Sequence, residues 1–220
     1  MPDTEATIIT PRLHLTALDI ENDSHIAYRV QLANSPAIRA QAVQLGHPSP
    51  PLTPEAARAH LESVYQRADR NGSGLYLVSL QKSNPNIDDE SDEMEYIGIV
   101  SMMLKRYPDM QCPVIPDIGF VFHEDYRGKG YAAEACEGVM KYFRESRGIE
   151  RIAGFTHPEN PNSKKLFTRL GFVERGLVDV SGILPPDGSA RNASVWLYNV
   201  DLDVELEELG IGPGKGGTQG

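Results

Sequence analysis

Apolar and polar residues alternate in some segments of the chain, whereas apolar residues recur at helical spacing in others. Alternation at every second position predicts a strand, and apolar positions three and four residues apart predict a helix. Strands are expected at Thr7 to Leu18, Gly74 to Leu80, Tyr96 to Lys105, Asp117 to His123, Arg151 to Thr156, Phe172 to Val180 and Ala193 to Val200. Helices are expected at Asn22 to about Arg39 with an interruption at Pro36, at Pro54 to Ala68, after Gly130, and from Asn160. This order of elements predicts an α/β (α+β) fold, with a mixed sheet and helices on both faces.

A basic turn broken by glycines, Arg127-Gly128-Lys129-Gly130, connects a predicted strand to a predicted helix. The helix is indicated by an apolar stripe that comprises Ala132, Ala135, Cys136, Val139, Met140 and Phe143. The turn therefore lies at a helix N-terminus, where unpaired backbone N–H groups and the positive end of the helix dipole favour an anion. The sequence predicts a phosphate or pyrophosphate site here.

Two nucleotide-binding patterns fit this turn. Residues 128–133 match G-x-G-x-x-G/A, the dinucleotide-binding pattern of NAD-type oxidoreductases. Glu150 has roughly the spacing of the acidic residue that this pattern requires, but it precedes the next predicted strand, and no βαβ unit opens the chain. Arg127, Gly130 and Ala132 also match R-x-x-G-x-A, and the segment that follows favours this second interpretation.

That segment, residues 156–172, has a well-marked helix. Asn160 is a good N-cap, Pro161 suits the first helical position, and Gly171 ends the helix. The apolar face of this helix consists of Leu166, Phe167 and Leu170.

Together the two motifs resemble the GNAT superfamily of acyl-CoA-dependent N-acyltransferases. The run from Asn160 to Phe172 resembles the N-x-x-S…G-F pattern of the branch that includes the ribosomal-protein N-acetyltransferases. Residues 10–16 resemble the opening strand of that branch, and residues 131–135 resemble the continuation of its cofactor helix. The resemblance implies one GNAT-like domain with two splayed parallel central strands. We expect this domain at residues 1–209, followed by a flexible glycine-rich tail at 210–220.

The resemblance also implies that acetyl-CoA is the co-substrate. Its pantetheine arm would pair with backbone around Phe120, Val121 and Phe122, and Asn160 and Ser163 would approach it from the other side. The pyrophosphate would lie on the turn formed by Arg127, Gly128, Lys129, Gly130, Tyr131 and Ala132. A backbone N–H of the first parallel strand could then stabilise the developing oxyanion.

The implied reaction is direct attack of a neutral amine on the acetyl thioester, which requires a base and an acid. Many GNAT members place a tyrosine seven positions beyond the asparagine as the acid, but this chain has Phe167 there. The resemblance to the ribosomal-protein branch, some of whose members use the serine of N-x-x-S, implies Ser163 as the candidate acid, with hydrogen bonding at the helix cap as its alternative role. Asp117 and His123 are the candidate bases, and each could instead be a polar residue at a strand end.

The acceptor is not specified by these motifs and could be a protein N-terminus or a small amine. We expect residues 22–68 and the closing hairpin to contact it. A catalytically silent acyl-CoA-binding module is the alternative function, because Phe167 cannot donate a proton and the base is not fixed.

The composition of the chain narrows the classes of protein to which it could belong. The chain has 220 residues, 40% of them hydrophobic, which is enough for one core. A net charge of −10 argues against a nucleic-acid partner and is compatible with a cationic acceptor. No long apolar run indicates a membrane span, and the two cysteines indicate neither a disulfide framework nor a metal site. We expect a monomer or homodimer in the cytoplasm or nucleus, with the acidic run at 88–95 as a solvated loop.

Overall fold

The computed structural model describes residues 7–44, 48–71, 74–81, 94–104, 113–179 and 192–212. Within these residues the strands are β1 (Thr7–Ile9), β2 (Leu13–Ala17), β3 (Gly74–Leu80), β4 (Tyr96–Met103), β5 (Asp117–Phe122), β6 (Ile152–Thr156), β7 (Val173–Asp179) and β8 (Asn192–Tyr198). The helices are α1 (Asp23–Ala33), α2 (Pro36–Gln44), α3 (Pro54–Asn71), α4 (Tyr131–Arg147) and α5 (Pro161–Arg169), with short 3-10 helices at Glu124–Tyr126 and Leu206–Leu209.

The described strands form one mixed sheet in the order β1-β2-β3-β4-β5-β6-β8-β7. All neighbouring strands are antiparallel except β5 and β6, which are parallel and pair only at Asp117 and Ala153. Because these two strands meet at their N-terminal ends and lose pairing beyond, their C-terminal ends splay apart and leave a cleft. The predicted pair of splayed central strands is confirmed.

Successive side chains of the sheet point to opposite faces and pack into two hydrophobic cores. Tyr76 and Val78 of β3 face a cluster that includes the buried stripe of α4, whereas Leu75 and Leu77 face a cluster with α1 and α3. Helices therefore cover both faces, and the predicted fold class is confirmed. The predicted stripe of α4 is buried except at Ala132, which is only partly covered and lies at the cleft.

The predicted first strand, Thr7 to Leu18, was wrong because it is two strands joined by a tight turn. Thr10 and Leu13 close this turn: the Thr10 N–H donates to the Leu13 carbonyl at 3.0 Å, and the Thr10 hydroxyl accepts from the Leu13 N–H at 3.1 Å. Pro11 has no N–H to contribute to a continuous strand. The turn places Arg12 beside α4, which matters for the site.

The predicted helix break at Pro36 is confirmed, since α1 ends at Ala33 and α2 begins at Pro36. Towards the C-terminal end of the described residues, Ile211 is buried beside Leu209. Several predictions fall wholly or partly outside the described residues: Cys112, most of the acidic run at 88–95, the end of the strand at Val180, and positions 213–220 of the tail. No helix in the described part of the chain is long and apolar enough to span a membrane.

Candidate active site

A cleft of about 400 Å³ lies where β5 and β6 separate. It is bordered by the end of β5, the basic turn, the start of α4, one face of α5, and α2. Ten of the eleven residues predicted to bind cofactor line it: Phe120, Val121, Phe122, Arg127, Gly128, Gly130, Tyr131, Ala132, Asn160 and Ser163. Lys129 is the exception, and its ammonium lies 5.4 Å from the centre of the Tyr126 ring.

The turn has the backbone geometry that its glycines allow. Gly128 and Gly130 have φ angles of 76° and 83°, in the left-handed region that side chains disfavour. Gly130 is the N-cap of α4, and no side chain caps this helix start. The first N–H groups of α4 are therefore available to a ligand in the cleft. Arg127 is held at the cleft by its Nε, which donates to the Phe122 carbonyl at 3.1 Å.

The edge of β5 that faces the cleft carries backbone groups with which no described strand pairs. His123 donates its N–H to Ile97 of β4, whereas the Pro116 carbonyl accepts from Ala153 on the β6 side. Because backbone direction alternates along a strand, Phe120 and Phe122 turn their N–H groups towards the cleft and Val121 turns its backbone towards β4. Val121 lines the cleft, and its backbone groups face Ile99 of β4.

Asn160 and Ser163 form a small hydrogen-bonded unit at the start of α5. The Asn160 Oδ1 accepts from the Ser163 N–H at 3.2 Å, and the Asn160 Nδ2 donates to the Ser163 Oγ at 2.9 Å. The cap of α5 is thus Asn160, and the Ser163 hydroxyl accepts one hydrogen bond while its own proton remains available to the cleft. Phe167, one turn further on, is buried against Phe120 and is stacked on Trp196.

Neither candidate base lines the cleft. Asp117 is buried at the closed end of the splay, about 13 Å from Val121 at the usual rise of a strand. The His123 Nδ1 accepts from the Asp125 N–H at 3.4 Å, and its ring lies between the carboxylates of Glu124 and Asp125, at 3.8 and 3.5 Å. The structure therefore gives His123 a role in capping the 3-10 helix.

Three features of the site were missed in the sequence. The Tyr126 hydroxyl, on a side chain that lines the cleft, donates to Glu95, and this hydrogen bond raises the pKa of Tyr126 to about 12. Arg12 and Arg169 also lie at the turn. The two contacts of Tyr126 and Arg12 join residues 31 and 122 positions apart, so no local pattern could show them.

Arg12 is tied to α4 through Glu134. The Arg12 Nε donates to the Glu134 Oε2 at 2.6 Å, and the Arg12 N–H and the Thr10 hydroxyl donate to Oε1 at 2.8 and 2.7 Å. Burial acts to raise the pKa of Glu134, but the hydrogen bonds from Thr10 and Arg12 outweigh it and lower that pKa. Glu134 is therefore held as a carboxylate.

The molecule is an α/β protein whose mixed sheet contains a splayed parallel pair. A glycine turn and an uncapped helix start lie at the resulting cleft. Residues 12–173 match the sequence family described as "Acetyltransferase (GNAT) domain". The chain belongs to the GNAT acetyltransferase family.

Comparison with solved structures supports the fold. RimL, a ribosomal L7/L12 alpha-N-protein acetyltransferase solved with coenzyme A, aligns with a TM-score of 0.63 at 19% identity, covering 90% of this chain and 100% of RimL. The Salmonella typhimurium acetyltransferase that modifies the N-terminal serine of L7/L12 aligns with a TM-score of 0.62 at 19% identity, over 89% and 100% of the two chains.

Curated relatives match over shorter segments. The uncharacterized N-acetyltransferase YnaD of Bacillus subtilis is 33% identical over 60 residues, which are 27% of this chain and 35% of YnaD. The [ribosomal protein uS5]-alanine N-acetyltransferase of Escherichia coli is 30% identical over 88 residues, 40% of this chain and 43% of that enzyme. The matched segments thus span less than half of these relatives.

Proposed function

We propose that the protein transfers an acetyl group from acetyl-CoA to a primary amine by direct attack. The observation that carries this proposal is the cleft between β5 and β6, which joins an unpaired backbone edge to the glycine turn. The fit to acetyl-CoA follows from the residues present. Phe120 and Phe122 offer N–H groups to an extended arm, and the uncapped start of α4 suits a pyrophosphate.

Different groups of the chain would carry out different steps of the reaction. A β5 N–H would polarise the thioester carbonyl and stabilise its oxygen as negative charge develops. As the new N–C bond forms and the C–S bond breaks, the Ser163 hydroxyl would give its proton to the departing thiolate. The proton that the attacking nitrogen then loses would return to the Ser163 oxygen, directly or through water, which leaves an amide, a free thiol and an unchanged serine. The incoming ammonium must first lose a proton, and we propose that water in the cleft carries it to solvent, because neither Asp117 nor His123 lines the cleft.

The acceptor side of the cleft is formed in part by Ile38 and Gln41 of α2. These residues belong to the segment that we expected to read the acceptor. We propose a protein N-terminus as the first acceptor class to test. The Salmonella typhimurium relative is described as modifying the N-terminal serine of L7/L12, and the Escherichia coli relative is named for an alanine of the ribosomal protein uS5. Monomeric or dimeric state and a cytoplasmic location stay predictions.

The alternative function, a silent acyl-CoA-binding module, is favoured by one observation. Phe167 occupies the usual position of the acid and is buried among other aromatic rings. Such a module would bind acetyl-CoA through the same turn and release no thiol.

The test is incubation of the full chain with acetyl-CoA and a panel of N-terminal peptides, polyamines and amino-sugars. Thiol release is followed in solution, and the amines are analysed by mass spectrometry. We expect amine-dependent thiol release with an equal amount of acetylated amine. Tight binding of acetyl-CoA with no product from any of the amines would support the silent module instead.

A further inference from the structure

We propose that Arg12 and Arg169 bind the pyrophosphate of coenzyme A from two sides of the glycine turn, and that Glu134 positions Arg12 for this contact. The inference deepens the proposed function and rests on it, since it names further residues of the same cleft. None of the three residues is a specified position of R-x-x-G-x-A or N-x-x-S…G-F, although each lies in a segment that carries the resemblance.

The two guanidinium groups approach the same point in space. A Cβ atom added at Gly130 would lie 3.4 Å from Arg12 Nη2 and 3.9 Å from Arg169 Nη1. One arginine comes from the turn between β1 and β2, and the other from the last turn of α5. No acidic side chain of the described residues pairs with Arg169, whereas Arg12 pairs with Glu134 through its Nε. An anion at that point would be attracted by both guanidinium groups.

Arg12 is held in place before any ligand binds. Its Nε donates to Glu134, its Nη1 donates to the Lys129 carbonyl at 3.1 Å, and its guanidinium lies 4.6 Å from the centre of the Tyr131 ring. These contacts leave Nη2 directed towards Gly130. A guanidinium already fixed by its neighbours loses little freedom on binding, which favours affinity.

The groups around the point where the two guanidinium groups converge suit a pyrophosphate. Guanidinium groups present paired N–H donors that match phosphate oxygens, and the first N–H groups of α4 face the same place. Because the convergence point lies at the turn itself, we assign the two arginines to the pyrophosphate and not to the 3′-phosphate of coenzyme A.

The experiment measures the Kd of coenzyme A and of 3′-dephospho-coenzyme A for the full chain and for three variants, by calorimetry. Arg169→Ala removes an exposed cation. Arg12→Lys keeps the positive charge but removes the paired N–H donors of the guanidinium group. Arg147→Ala is the control, since it removes an exposed arginine from the far end of α4. We expect Arg169→Ala and Arg12→Lys to raise the Kd of both ligands about tenfold or more, and Arg147→Ala to leave it within about twofold.

The positioning role of Glu134 is tested by a double-mutant cycle. Glu134→Gln should raise the Kd of coenzyme A in the parent chain but have little further effect in the Arg12→Lys background. Equal effects in both backgrounds would show that Glu134 acts on folding and not through Arg12.

The outcomes separate the inference from the proposed function. If the parent chain binds coenzyme A and both arginine variants bind it equally well, the inference is overturned while the function stands. A loss seen with coenzyme A but not with its dephospho form would also overturn the assignment, in favour of the 3′-phosphate. If the parent chain itself does not bind coenzyme A, the proposed function fails first.

Discussion

At Ser163, helix capping and the proposed proton donation use different atoms. The backbone N–H of Ser163 satisfies the Asn160 Oδ1, and its hydroxyl oxygen accepts from the Asn160 Nδ2. The cap thus survives without the hydroxyl, and Asn160 orients that hydroxyl so that its proton can point into the cleft. A substitution at Ser163 can therefore separate the two roles that the sequence left open.

We predict that Ser163→Ala lowers kcat by about 10²-fold, because an acid at this position acts only in the transition state. The Kd of acetyl-CoA and the stability of the protein should change little. Steady-state kinetics and calorimetry check this. The matched control is Thr168→Ala, which removes an exposed hydroxyl that bonds to the Lys164 carbonyl on the same helix. An unchanged kcat in Ser163→Ala would restrict the serine to its contact with Asn160.

Gly130→Asp should abolish binding of acetyl-CoA, because a carboxylate would occupy the place that the pyrophosphate needs. Gly148→Asp is the control: Gly148 ends the same helix with a φ of 64° and has open space around it. Both variants accept similar backbone strain, so both should fold, and only the first should lose binding in calorimetry. Retained affinity in Gly130→Asp would place the pyrophosphate elsewhere.

Among the elements, α4 is joined to the β1–β2 hairpin through Glu134. The lowered pKa of Glu134 means that its stabilising contribution is complete above its ordinary pKa of 4.5 and is lost as the pH falls through the lowered value. We predict that Glu134→Gln costs about 1–3 kcal/mol at neutral pH, the range for hydrogen bonds to charged groups. The cost should shrink in acid. Denaturant unfolding of both proteins across this pH range checks it, and a constant difference would contradict it.

The packing of α5 on β6 depends on Gly154. A Cβ at Gly154 would clash with the ring of Phe167, which is buried in the core. We predict that Gly154→Ala destabilises the protein by about 1–3 kcal/mol through overpacking. The additional change Phe167→Leu should recover part of this loss, because it removes the clashing edge. If Gly154→Ala alone is neutral in denaturant unfolding, the ring does not rest on this glycine.

The two strand-to-helix segments that form the cleft were predictable because their determinants are local. Glycines, caps and apolar spacing fix the turn before α4 and the start of α5 within a few residues of sequence. The division of the first strand at Pro11 and the capping role of His123 rest on contacts within three residues of sequence, but apolar alternation and strand-end position did not reveal them. The approach of Arg12 to α4 joins residues 122 positions apart. The sequence pattern around Arg12 does not show that Glu134, more than a hundred positions away, lies beside it.

On the scale of the whole molecule, the charge is unevenly placed. The chain carries a net charge of −10, yet Arg12, Arg127, Lys129 and Arg169 surround one turn. A local cationic site in an acidic protein favours an anionic cofactor at the turn, while the remaining surface favours a cationic acceptor. The same division argues against a nucleic acid, which would need an extended basic face.

The identity of the acceptor depends on residues that lie outside the two motifs. The family match ends at residue 173, and the matched segments of the curated relatives span at most 43% of their length. Ile38 and Gln41 of α2 line the cleft and belong to the segment that we propose to contact the acceptor. We expect substitutions there to alter the KM of the amine and not that of acetyl-CoA.

The most direct test of the central claim is calorimetric titration of the full chain with acetyl-CoA, with NADH titrated in parallel. The cleft, the turn and the family predict saturable binding of one acetyl-CoA per chain, competition by coenzyme A, and no binding of NADH. Binding of NADH in the absence of any affinity for acetyl-CoA would contradict the claim and would return the glycine turn to its dinucleotide-binding interpretation.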